Sequence, residues 1–137
     1  MYFGDYMKDI DKYIIIFLIG GIGYGIIEVL FRGYTHWSMI ITGGAAFLSL
    51  YIINNALTNT SIFIKALLGM VVITVLEFSV GIIVNKIFAL DVWDYTNMPG
   101  NILGQISLQF SACWYGLSVV AFIIFENIHI VTDLQKS

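Results

Sequence analysis

The sequence predicts an all-α integral membrane bundle of four transmembrane helices, preceded by a short N-terminal interfacial helix. Three observations predict it. The chain is 59% hydrophobic and only 11% charged, and its mean hydropathy of +0.90 belongs to a bilayer protein rather than a soluble domain. Its apolar residues gather into four runs near the length of about 20 residues that crosses a hydrocarbon core. Two glutamates, Glu28 and Glu77, lie inside those runs. A carboxylate there costs a few kcal/mol, so it must face a partner, a wet cavity or the protein interior.

Residues 1–12 place Phe3, Tyr6, Met7 and Ile10 at helical spacing opposite Asp5, Lys8, Asp9 and Lys12, the pattern of an amphipathic interfacial helix. The first span covers residues 13–31. After the polar turn RGYTH, the second covers 37–57. A polar link rich in Asn, Thr and Ser leads to the third, 62–84. Residues 85–104 form the longest and most aromatic connection, with the only proline, Pro99, beside Gly100, a turn signal. The fourth span covers 105–125.

Within 137 residues, four such spans leave no room for a soluble catalytic domain. The formal charge of −3 argues against a nucleic-acid partner. Cys113 is the single cysteine, which rules out an internal disulfide and speaks against a structural zinc. Residues 1–12 lack the basic region of a signal peptide. Lys8, Lys12, Lys65 and Lys136 flank the side with both termini and the 58–61 link, against Arg32 and Lys86 on the other. That bias predicts cytoplasmic termini and puts Glu28, Arg32, His36, Glu77, Asp91 and Asp94 in the outer half.

Three spans carry a stripe of small and polar residues at steps of three and four: Gly21, Gly25, Glu28 and Arg32; Thr74, Glu77, Gly81 and Asn85; Gln105, Gln109, Ala112 and Gly116. Such faces are expected to meet, because small residues let membrane helices approach and polar ones find partners inward. The two halves also echo each other, with Glu28 before Trp37 and Glu77 before Trp93; a parallel repeat and chance similarity both account for this.

Glu28 and Arg32, one turn apart, suit an ion pair. It either serves architecture alone or, with Glu77, lines a polar cavity for a cation, proton or headgroup. Trp37, Trp93 and Tyr95 sit where amphipathic rings anchor at the membrane boundary, and His36 adjoins them. The serines form no hydrolase arrangement with a His and an Asp, so an enzymatic role is not the primary reading. No P-loop or dinucleotide fingerprint appears, so an ATPase would be a separate chain.

Two runs carry a resemblance. EVLFRGYTHWSMIITGG, from Glu28 to Gly44, and WDYTNMPGNILGQISLQFSACW, from Trp93 to Trp114, are similar to the ABC-transporter type IV (CmpB-like) family of small bacterial integral membrane proteins. The matching positions are Glu28, Arg32, Gly33, His36, Trp37, Ser38 and Met39, then Trp93, Asp94, Tyr95, Pro99, Asn101, Gly104 and Trp114. The resemblance implies a multi-span fold and a permease label without a settled substrate.

The combined expectation is a transporter, or the membrane subunit of one, for a small cation or polar solute, multi-pass in a bacterial cytoplasmic membrane. The expected ligand or coupling residues are Glu28, Arg32, His36, Glu77, Asp94 and Asn101, with Trp37, Trp93, Tyr95 and Trp114 framing the entrance. No cofactor or metal is expected. Expected partners are the lipid bilayer, a second copy or another membrane protein, and a separate ATPase chain. Two rivals stand beside it: a non-transporting scaffold or regulatory partner, and a lipid-headgroup binding protein or membrane enzyme using the 93–104 loop.

Overall fold

The computed structural model describes residues 3–136, with side chains described for residues 10–128. The regular elements among the described residues are helices, with no β-strand among them. The elements are α1 (Phe3–Arg32), α2 (Trp37–Ala56), α3 (Ile62–Gly81), a π-helical turn (Ile82–Ile87) that continues α3, and α4 (Leu108–Lys136). Among the described residues, four helical stretches are long and apolar enough to cross a membrane: Ile10–Arg32, Trp37–Ala56, Ile62–Ile87 and Leu108–Ile128, as a four-helix membrane bundle needs. Many of their Ile, Leu, Val and Phe side chains are exposed, among them Leu30, Phe31, Val75 and Val120, the surface that lipid tails accept. Of the residues expected as a separate interfacial helix, 3–12 run into the first span in one uninterrupted helix; residues 1–2, and the side chains of residues 1–9, lie outside those described.

The chain divides into two compact units, Met1–Leu48 and Ser49–Ser137. In the first, α1 closes at Gly33, whose φ of +83° and N–H bond to the Val29 carbonyl at 2.9 Å make a left-handed helix end that glycine adopts without strain. The chain returns as α2 so closely that a Cβ on Gly21 would lie 2.6 Å from the Ile40 carbonyl oxygen, and one on Gly44 2.7 Å from that of Phe17. Gly25 faces Ile40 as well. The glycine stripe of the first span therefore lies against α2, a backbone approach that side chains would block.

In the second unit the last two turns of α2, Ser49–Ala56, precede an antiparallel pair, α3 and α4. Ser61 caps α3, its Oγ accepting from the Phe63 N–H at 3.3 Å, and Ser107 caps α4 by accepting from the Phe110 N–H at 3.2 Å. Each satisfies a helix-end donor. The buried face of α3 is a ladder of steps of four, Lys65, Gly69, Ile73, Glu77 and Gly81, with Ala66 beside it. α4 answers with Trp114, Ser118, Ala121 and Phe122.

That face of α4 corrects the expected stripe. Gln109, Ala112 and Gly116 are exposed, and Gln105 belongs to the loop before the helix begins. Residue size and polarity suggested the inner face; burial of the Trp114 and Phe122 rings, far larger in apolar area, decides it.

Candidate functional site

Glu77 is the centre of the second unit's polar site. It is 3% exposed and lies near the C-terminal end of α3, a helix of mostly apolar residues. Its Oε1 accepts from the Trp114 indole N–H at 3.3 Å and its Oε2 from the Tyr95 hydroxyl at 3.3 Å. The donors come from α4 and from the 88–107 loop, so one carboxylate ties three segments. Phe110 holds both rings in place: Tyr95 stacks on it with centroids 4.9 Å apart and planes at 15°, and Trp114 lies beyond at 6.4 Å. One turn from Glu77, Thr74 pairs with Ser111 at 3.2 Å.

The loop reaches Glu77 because the π-helical turn presents Asn85 to it. The Asn85 Oδ1 accepts from the Val92 N–H at 2.6 Å, and its amide donates to Gln105 Oε1 at 2.8 Å. Gln105 donates in turn to the Leu103 carbonyl at 2.9 Å, and its own carbonyl accepts from the Trp93 indole at 3.0 Å. A wide π-turn of this kind often marks a functional position. Gly81 makes room: a Cβ there would lie 2.5 Å from Gln105 Oε1 and 3.0 Å from Trp93 Cζ2. These anchors hold Ala89, Asp91 and Leu103 at positive φ, each costing about 1–2 kcal/mol for an L residue.

Asp94 and Asn101 shape the loop. Asp94 Oδ1 accepts from the Thr96 N–H at 2.9 Å. That backbone bond, then the Thr96 hydroxyl, and more weakly the Lys86 charge, hold its carboxyl below the usual aspartate range. Asn101 donates to the Thr96 and Met98 carbonyls at 3.1 and 2.9 Å and accepts from the Gly104 N–H at 3.2 Å. Its donor and acceptor groups are engaged within the loop itself. Gly104 is required twice over, by a φ of +72° and by Thr96 Cγ2, 2.7 Å from where a Cβ would sit.

Glu28, Arg32 and His36 lie in the first unit. Glu28 is buried; its Oε1 accepts from the Tyr24 hydroxyl at 2.9 Å. Arg32 Nη1 stands 3.2 Å from Oε2, yet that oxygen accepts no hydrogen bond, so the pair is a charge contact without N–H alignment. Arg32 also donates to the Tyr34 hydroxyl at 2.8 Å and lies over its ring. His36 caps α2: its Nδ1 accepts from the Ser38 N–H at 3.2 Å and lies 2.7 Å from Ser38 Oγ. An acceptor Nδ1 puts the ring proton on Nε2.

The four expected entrance aromatics divide. Trp37 is 57% exposed and stacks loosely on His36, as a boundary anchor does. Trp93 is 6% exposed and closes the loop's interior, while Tyr95 and Trp114 turn inward to Glu77. Sequence reasoning missed Tyr24 and Phe110, although each stands one helical turn before Glu28 or Trp114. It also missed a second polar cluster. Lys65, counted above as a flanking charge, is 1% exposed and donates to Asn54 Oδ1 at 2.8 Å and Glu126 Oε1 at 3.1 Å. Steps of four downward from Glu77 lead straight to it.

The family comparison agrees with this architecture. A family model described as "Putative ABC-transporter type IV" matches residues 16–136, and the chain belongs to that family. It is thereby a multi-pass membrane protein related by family to ABC transporters. Comparison with the curated proteins and with the solved structures found no significant match.

Proposed function

We propose that the chain is a small transporter, or the membrane subunit of one, for a small cation or polar solute, with Glu77 as its coordinating or coupling carboxylate. One observation carries this reading: a glutamate 3% exposed in a membrane-spanning helix, held by two donors on separate segments. A buried intramembrane acid is a functional group by default. Here its two donors can part without unfolding either helix, because one of them belongs to a loop. Glu28 with Arg32 is a second buried acidic site, in the first unit. The chain has no P-loop, so ATP-driven work would come from a separate ATPase chain. The residue bias of Lys and Arg supports cytoplasmic termini, and the family supports a bacterial cell membrane.

The scaffold reading has its own support, since the Glu28–Arg32 contact serves architecture as well as chemistry. The two readings part at Glu77→Gln. A glutamine fits: its oxygen still accepts from Trp114, and its NH2 donates to Tyr95, whose hydroxyl accepts as readily as it donates. Proteoliposomes loaded with a pH-sensitive dye and challenged with outward gradients of Na+, K+ or tetramethylammonium should show a cation-driven pH change. The change should vanish in Glu77→Gln while its elution profile stays that of the wild type. Silence with all three cations, or an equal response from Glu77→Gln, contradicts the transport reading.

A further inference from the structure

The end of α3 opposite Glu77 carries an ionic cluster that the site above does not use. Lys65 is 1% exposed, and its ammonium takes Asn54 from α2 and Glu126 from α4 as partners and lies 5.1 Å from the Phe122 ring centroid. Three helices converge on one buried cation. An apolar residue would fill position 65 more cheaply in a membrane helix, since a buried ion pair repays its desolvation poorly. The pair is also lopsided: the Lys65 side chain is 1% exposed and that of Glu126 43%. The acid can be drawn away into water while the base remains within the protein.

Lys65 and Glu77 lie on one stripe of α3, twelve residues or about 18 Å apart along the axis. Between them is Gly69, where α3 meets Ser118 and Leu50 so closely that a Cβ would lie 2.9 and 2.6 Å from their side chains. The α3–α4 pair thus has a smooth, small-residue crossing with a polar lock at each end. The two locks take different partners. Lys65 bonds Asn54 and Glu126 at 2.8 and 3.1 Å, and Glu77 accepts from Tyr95 and Trp114 at 3.3 Å.

We infer that Lys65, Glu126 and Asn54 form a latch that shuts the Lys65 end of the α3–α4 pair, and that α3 rocks over Gly69 when the latch opens while the Glu77 end stays engaged. This rests on the transport reading of Glu77 and supplies the alternation it needs: a two-state element biased by contacts at either end. Breaking the latch opens the pair on the side of the 57–61 link and leaves the loop side shut.

The experiment places a reporter, Ser118→Cys, under the latch in a Cys113→Ser background. A membrane-impermeant thiol reagent is applied to intact cells and to inside-out vesicles. Separate Thr58→Cys and Thr96→Cys proteins define which side is which. With the latch intact the reporter should react slowly from both sides. Adding Lys65→Met or Glu126→Gln should raise its rate roughly tenfold from the Thr58 side alone. Glu126→Gln, at a half-exposed position, keeps the test valid where Lys65→Met fails to assemble. An unchanged rate, or an equal rise from both sides, overturns the latch. No solute is present, so this outcome stands apart from the flux test of Glu77.

Discussion

Replacing Gly69 with alanine tests the α3–α4 contact on which the site is built. The added Cβ would lie 2.6 Å from Leu50 Cδ2, 2.9 Å from Ser118 Oγ and 3.3 Å from Ser118 Cβ, where carbon contacts settle at about 3.5–4.0 Å. The tip of Leu50 can swing away. Ser118 cannot do so freely, because its hydroxyl donates to the Trp114 carbonyl at 2.7 Å and the residue is fully buried. Overpacking of this kind costs about 1–3 kcal/mol, offset by up to about 1 kcal/mol from the better helix propensity of alanine. The expected net loss is up to about 2 kcal/mol. Gly116→Ala is the matched control: no atom lies within 4 Å of its Cβ, leaving only the propensity gain. SDS-driven unfolding in mixed micelles, followed by circular dichroism, should rank Gly69→Ala below wild type and Gly116→Ala level with it or above. Equal destabilisation by both would mean that α4 turns its Gly116 face inward, and the packing described here would be wrong.

Three further outcomes are expected. Tyr95→Phe keeps the stack on Phe110 but removes a donor to Glu77, so it should cost about 0.5–1.5 kcal/mol in the same unfolding assay; no loss would place the hydroxyl away from the carboxylate. The Asp94 carboxyl is held below its ordinary range, so its support of the 94–96 turn is full above the unfolded aspartate value and lost as pH falls through the lower folded one. The Thr96 amide resonance should therefore titrate with a midpoint below that of free aspartate, and a midpoint at or above it would refute the assignment. Finally, in a Cys113→Ser background, Thr96→Cys should be labelled from outside intact cells and Ser137→Cys should not; labelling of the latter would reverse the orientation that the Lys and Arg bias supports.

What could be read from the sequence followed from what hydrocarbon demands of a chain. Spans of apolar residues, and two acids that cannot face lipid, fixed the helical class and the inward direction of Gly21, Gly25, Glu28, Glu77 and Gly81. What could not be read depends on partners remote in sequence. The stripe on α4 was misjudged because its periodicity fits two faces equally, and only contact with Gly69 and Glu77 selects Trp114 and Ser118. Trp93 looked like a boundary anchor because composition cannot show that Asn85 and Gln105 fold the loop over it. Lys65 looked like a flanking charge because its acid lies sixty-one residues away.

The central claim is that Glu77 is a working carboxylate, engaged and released by its ligand. Infrared difference spectra of the reconstituted protein, recorded with and without Na+, K+ or tetramethylammonium, address it directly. The account predicts a cation-dependent change in carboxyl absorption that is absent from Glu77→Gln and retained in Glu28→Gln or altered there only in part. A cation response identical in wild type and Glu77→Gln would contradict it.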